Sequence, residues 1–486
     1  MNKVLFIFLA FLSFSAFAQH SDKQKIGISK SVDNYLKVVI KVNEVPGLAV
    51  GIIKNNKIIF QQYYGIGIIE DDKKVDSNSL FRIYSTTKLI STVCIFQLIE
   101  KGQLSLEDKI SKHINNLPTE WQDVKIKNLL SHSSGIPDIV RFDDISVNAT
   151  NNEVIERLSK EKMEFQAGDQ YSYNQTNFLL LTMIIEKISG QTFEDFVLEN
   201  QFSNSQNEVL FSSNSNERIP NRVQKYNYNE TKKQYEKSIH IGGLRAHSAN
   251  GIAITLPAFL QWSINLNKNV FLKENTKKMM WKLFPFNNKQ DIFGYGWEVN
   301  NMNNILSAGF SGGNVSAYKI FPDNNVSIIL MYNGYKYPSF PIQYQVINHI
   351  AQLIDPKLAD PFLLSEEANN KDIVTQPKIT KENYGYRIEK DKVIFSYKQN
   401  KNQNPQFIKS ISVAGSFNDW NPDNQSFQML KKDENAFELS VPKSQFEKGK
   451  IYTFKFVMNK INWLTTPYKA KNIDGTPDNN LTLKID

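Results

Sequence analysis

The chain has 486 residues, 41% apolar and 22% charged, which is more than one ordinary domain needs and fits a folded rather than a disordered protein. Its formal charge of +8 comes from scattered lysines without a basic block, so composition leaves no footprint of nucleic-acid binding. A lone cysteine, Cys94, excludes an intrachain disulfide framework, and one cysteine with six scattered histidines argues against a structural zinc site.

Lys3, the apolar run Leu5 to Phe17 and the triplet Ala16-Phe17-Ala18 read as a secretory signal over residues 1–18. The run is too short to span a bilayer comfortably, so no stable membrane span is expected; a retained N-terminal anchor is the alternative. No cysteine follows the cleavage site, which argues against a lipid anchor. The mature chain is expected from about Gln19, in the periplasm or secreted.

Residues 21–45 carry helical apolar spacing through Ile26, Val32, Leu36, Val39 and Ile40. Gly47 to Ile53 and Lys57 to Phe60 flank Asn55-Asn56, a hairpin signal. Helical patterns follow over 85–101, 151–160 and 176–188. A second hairpin joins Val315–Phe321 to Val326–Tyr332 across Pro322-Asp323-Asn324-Asn325, and a helix over 341–354 closes the region. Strands at both ends with helices between them predict an α+β domain over 19–355, an antiparallel sheet flanked by helices. Residues 356–385 are rich in Pro, Asn, Lys and Glu without periodicity and read as a linker. Beyond them, short β-rich runs at 392–397, 408–413, 436–441 and 452–457 predict a small all-β immunoglobulin-like sandwich over 386–486.

The chemistry-bearing candidate is a Ser-x-x-Lys pair. On a helix, i and i+3 share a face, so the lysine amine lies beside the hydroxyl and can relay its proton. The pattern occurs as Ser85-Lys88, Ser159-Lys162, Ser316-Lys319 and Ser440-Lys443. Context separates them. Ser316 falls in a strand, Ser440 in the β-rich tail, and Ser159 in a charged Lys-Glu-Lys stretch. Ser85 alone opens a long apolar helix, ended by Gly102.

Four blocks in order then carry a resemblance: Val45 to Val50, Leu80 to Lys88, Lys101 to Asp108, and Leu129 to Pro137 (Leu-Leu-Ser-His-Ser-Ser-Gly-Ile-Pro). They resemble the serine β-lactamase/penicillin-binding-protein family, closest to class C enzymes and related esterases and peptidases. The resemblance implies a β-lactamase/transpeptidase-like fold, Ser85 as nucleophile, Lys88 beside it, no cofactor, and a small-molecule or peptide acyl substrate. It also implies that His132 is structural. In Tyr171 to Phe178 it selects Tyr173 as the family tyrosine, with Gln175 at a substrate-contacting position where an Asn is usual and the amide reaches one carbon further. A core or surface aromatic is the other reading of Tyr173. On Gly309-Phe310-Ser311-Gly312-Gly313 it places the strand beside the nucleophile, with Ser311, Gly312 and Gly313 lining the substrate and oxyanion positions. Phe310 stands where the family has Lys or His, and a phenyl ring offers no hydrogen bond or charge. That departure favours an ester or uncharged amide over a penicillin or D-amino-acid peptide, or a catalytically weakened glycan-binding relative. Arg245 and His247, in Gly242 to Ser248, are candidates to replace the polar function missing at Phe310.

In the tail, Val413 to Pro422 (Val-Ala-Gly-Ser-Phe-Asn-Asp-Trp-Asn-Pro), Tyr452 to Asn459, Trp463 and Asp478 to Asn480 resemble glycogen-binding, family-48-type carbohydrate modules. The resemblance implies Trp420, Lys455, Trp463 and Asn479 as sugar-binding residues, with a glucan or cell-wall glycan as partner. A purely structural sandwich is the other reading.

Overall fold

The computed structural model describes residues 27–229, 231–288, 293–302, 304–336, 342–360, 384–398, 410–433, 436–458, 462–464, 470–474 and 480–485. The expected signal segment, the middle of the expected linker and Asn479 lie outside them. The chain divides into two units, residues 1–334 with 349–358 and residues 335–348 with 359–486. Among the described residues no helix is long and apolar enough to cross a membrane.

The first unit is built on a seven-stranded sheet. Its order is Lys73–Lys74, Lys57–Ile68, Gly47–Lys54, Val326–Tyr332, Ser316–Phe321, Ile305–Gly312 and Glu298–Met302. All the pairings along it are antiparallel. Both expected hairpins form for the expected reason. Asn55 and Asn56 take φ of 51° and 58°, and Asn325 takes 50°, left-handed values that asparagine tolerates better than most residues. The central strand, Val326–Tyr332, and its neighbour Gly47–Lys54 are buried almost throughout, so both their faces are covered. The helix Leu256–Asn267 approaches so closely that a Cβ on Gly51 would lie 2.7 Å from Leu260.

The helix behind Ser85 runs Thr87–Glu100, and every residue from Thr87 to Leu98 is buried. It is therefore a central helix rather than a surface one. Helices Asn151–Leu158, Thr176–Ser189 and Ile342–Ile354 fall where the periodicity placed them. Gly190, at φ 71°, ends the second of these with a left-handed cap.

In the second unit, strands Tyr386–Ile388, Lys392–Lys398, Ala436–Pro442 and Leu430–Lys431 form one sheet. Ile411–Gly415, Ile451–Met458, Asn462–Trp463 and Leu481–Lys484 form the other. Phe395 and Tyr397 from the first share one core with Val413, Phe454 and Phe456 from the second.

Candidate active site

Ser85 sits in a single 3-10 turn, Tyr84–Thr86, that leads into the buried helix Thr87–Glu100. The residue before it, Tyr84, has φ 45°. A left-handed tyrosine costs on the order of 1–3 kcal/mol and persists only where its surroundings hold it. Two neighbours do so. Ser316 Oγ donates to the Ile83 carbonyl at 2.6 Å, and since that uses its single proton, Thr86 Oγ1 donates to Ser316 Oγ at 2.9 Å. Ser316, which sequence context set aside as a nucleophile, is instead a clamp on the turn that carries Ser85.

The end of strand Ile305–Gly312 closes on the same turn. A Cβ on Gly312 would lie 2.1 Å from the Ile83 carbonyl oxygen and 2.8 Å from the Ser85 backbone nitrogen. Gly313, at φ 56°, would place a Cβ 2.6 Å from the Tyr84 ring. Only glycines allow this approach. Ser311 and Ser85 are half-buried and Gly313 is exposed, so the strand end beside the turn reaches solvent.

Tyr173 Oη donates to Ser85 Oγ at 2.7 Å. Tyr173 is held by the segment 132–138, which binds the residues after it. Asn174 N–H donates to His132 Nδ1 (3.1 Å) and its amide to the Ile136 carbonyl (2.6 Å). Gln175 N–H donates to Asp138 Oδ1 at 2.9 Å, and Thr176 Oγ1 to the Pro137 carbonyl at 2.8 Å. His132 therefore positions the tyrosine rather than touching Ser85. Its Nδ1 accepts, so its proton is on Nε2, and its ring lies 4.6 Å from that of Tyr173. Complete burial and the nearby Lys88 charge keep this imidazole well below the usual histidine range.

Lys88, one helical turn after Ser85, is fully buried. Its Nζ donates to Gln175 Oε1 and to the Ala249 carbonyl, each at 2.9 Å, and lies 4.9 Å from the Tyr173 ring centroid. Burial pushes its pKa down, while Tyr173 and Asp138 pull the other way. Gln175 thus reaches Lys88 despite its extra methylene. The site brings together Ser85, Lys88, Tyr173, Gln175, Gly312 and Gly313.

Phe310 is 6% exposed, its ring 6.2 Å from Tyr173 and 5.8 Å from Phe293. It forms an apolar wall beside the tyrosine. Arg245 and His247 do not take its place. Arg245 donates to the carbonyls of Ala149 and Ser146, and His247 pairs with Glu194, which commits both to flanking elements. Sequence reading missed Ser316, Asp138 and the Ala249 carbonyl, whose roles depend on contacts between distant segments that no local pattern encodes.

In the second unit, Trp420 is half-buried at φ 57° in a tight turn. Asn418 builds that turn, accepting from Gly415 N–H and donating to the Val413 carbonyl. Lys455 lies on the neighbouring strand opposite Ala414, and Trp463 pairs with Val457.

The family model described as Beta-lactamase matches residues 32–352. Protein flp of Staphylococcus aureus strain MW2 is 25% identical over 176 residues, 35% of this chain and 35% of that protein. Penicillin-binding protein 4* of Bacillus subtilis strain 168 is 26% identical over 262 residues, 50% of this chain and 57% of that protein. The chain thus spans between about a third and rather more than half of these relatives' lengths. Among solved structures, the octameric penicillin-binding protein homologue from Pyrococcus abyssi superposes with a TM-score of 0.59 at 17% identity, covering 87% of this chain and 97% of that one. EstCE1, a hydrolase with promiscuous acyltransferase activity, does so with a TM-score of 0.53 at 16% identity, covering 65% of this chain and 94% of that one. These two likenesses show the fold.

Proposed function

The chain belongs to the beta-lactamase family, and on that footing we propose that it is a serine hydrolase working through an acyl-enzyme on Ser85. The observation that carries this reading is the 2.7 Å hydrogen bond between Tyr173 Oη and Ser85 Oγ, with Lys88 buried alongside. Ser85 Oγ adds to the carbonyl carbon of an ester or amide, its proton passes to the Tyr173 oxygen, and the phenol's own proton moves on to the Lys88 amine, which returns it when Tyr173 next gives a proton up. Collapse expels the alcohol or amine, which takes the proton back from Tyr173. Water then adds to the acyl-Ser85 ester with Tyr173 again receiving the proton, and the second collapse returns it to Ser85 Oγ. The N–H groups of Ser85 and Gly313 are the proposed oxyanion hole; the close approach of Gly312 to the Ser85 nitrogen supports the pairing.

Phe310 removes the side chain that would meet a substrate's charge at its strand position, which supports ester hydrolysis over cleavage of penicillins or D-amino-acid peptides. Acid-quenched turnover of a p-nitrophenyl ester, followed by digestion and mass spectrometry, is expected to find the acyl group on the peptide containing Ser85. An acyl group on another residue, or product without any acyl-protein, would end this reading.

For the second unit we propose glucan binding through the Trp420 turn. Support comes from the turn's rigid Asn418 frame beside the strand that bears Lys455. In native gels containing glycogen, migration of the full chain is expected to be retarded, and Trp420→Ala to relieve most of the retardation. Equal migration with and without glycogen would leave the unit structural.

A further inference from the structure

The turn that presents Ser85 has a second side. There Tyr84, Arg82, Arg222 and Lys225 line a cavity of about 30 Å³, together with Ser215, Gln224 and Asn333. Tyr84 is its centrepiece: the Arg82 guanidinium lies 4.5 Å and the Lys225 ammonium 4.8 Å from the ring centroid. Lys225 also donates to the Gly313 carbonyl at 3.0 Å. The cavity is therefore tied to the nucleophile twice, through Tyr84 next to Ser85 and through Gly313 next to Gly312.

Three cations around one small space need an explanation, because like charges at close range repel. Among the described residues, the only ion pair any of the three makes is Arg222 with Glu217, at 4.0 Å and with the carboxylate half exposed. Arg82 turns to the backbone and side-chain oxygens of Asn250, and Arg222 to Ser212 Oγ and the carbonyls of Asn214, Ser215 and Glu217, neutral oxygens that satisfy donors without cancelling charge. We propose that this cavity is a carboxylate-binding site adjoining the nucleophile's turn, with Lys225, Arg82 and Arg222 supplying the charge.

The size favours a compact head with two oxygens, and guanidinium and ammonium donors suit a carboxylate. Electrostatics agree: burial and the Arg82 charge bring Lys225 down to about 8, and burial with Arg82 and Lys225 brings the nearby His240 down to about 4. A bound anion would relieve that mutual repulsion. The inference adds to the hydrolase reading a charged group that Phe310 does not provide, displaced to the other side of the Tyr84 ring.

Binding is tested first, without turnover. The full chain carrying Ser85→Ala is melted across a titration of acetate at constant ionic strength against chloride. Acetate is expected to raise the melting temperature, and Lys225→Gln in the same background to weaken its apparent affinity by about 10-fold or more. Gln keeps a donor for the Gly313 carbonyl while removing the charge, and Lys225→Arg is expected to restore binding. A titration that Lys225→Gln leaves unchanged, or no response to acetate with or without that substitution, would overturn the site. Its source is then read from turnover of p-nitrophenyl hexanoate and the mono-p-nitrophenyl ester of adipic acid. If the carboxylate belongs to substrate, Lys225→Gln lowers the adipate-to-hexanoate ratio of kcat/KM about 10-fold or more. If it is a free ligand, that ratio holds while acetate alters hexanoate turnover in wild type and not in Lys225→Gln. Wild type that cleaves neither ester overturns the hydrolase reading, and the melting titration still decides the cavity.

Discussion

Ser85→Ala is expected to lower kcat/KM for a p-nitrophenyl ester by roughly 10³-fold or more while the melting temperature stays within about 2 °C of wild type. The two halves of that expectation come from different parts of the same turn. The hydroxyl is the only reacting atom the substitution removes, and Tyr173 has no other route to a covalent intermediate at this position. The turn itself is held by Ser316, Thr86 and the glycine pair, none of which depends on Ser85 Oγ. A fluorophosphonate provides a second reading of the same variant: one adduct on wild type by intact mass, none on Ser85→Ala. Turnover that survives the substitution would move the nucleophile elsewhere. A drop in turnover accompanied by a large fall in melting temperature would mean that the hydroxyl is a structural part of the turn.

The sheet and the turn and helix that carry Ser85 were legible in the sequence because their signals are local. Asn55-Asn56 and Pro322 to Asn325 mark turns by their own backbone preferences, and Ser85 separates from three other Ser-x-x-Lys pairs by the apolar helix immediately behind it. Tyr173 was reachable through its spacing to the helix Thr176–Ser189. What could not be read was whatever closes over long stretches of chain. Ser316 clamps Ile83 from 233 residues away, and Lys88 donates to a carbonyl 161 residues on. Arg245 and His247 looked available in sequence because their partners, at 146–149 and 194, are remote in the chain. Lys225 carried no pattern at all; it meets the Tyr84 ring from a distant stretch of chain.

Tyr173→Phe is expected to lower kcat by about 10²- to 10⁴-fold with KM little changed, the loss that a positioned acid–base group accounts for. The substitution is a clean one here. The ring's neighbours are the imidazole of His132 at 4.6 Å and Phe310 at 6.2 Å, contacts that a phenylalanine preserves. Lys88 keeps its bonds to Gln175 and the Ala249 carbonyl, so its position does not depend on the phenol. What disappears is the atom 2.7 Å from Ser85 Oγ. If Tyr173 takes the serine proton, fluorophosphonate labelling of the variant slows in proportion to kcat, because both reactions need the same alkoxide. If Lys88 alone takes it, turnover falls by less than about tenfold and labelling keeps its rate, since the tyrosine would then contribute only a hydrogen bond to the ground state. The geometry argues for the first outcome: Tyr173 Oη lies within hydrogen-bond reach of Ser85 Oγ, whereas the hydrogen bonds of Lys88 Nζ run to Gln175 Oε1 and the Ala249 carbonyl.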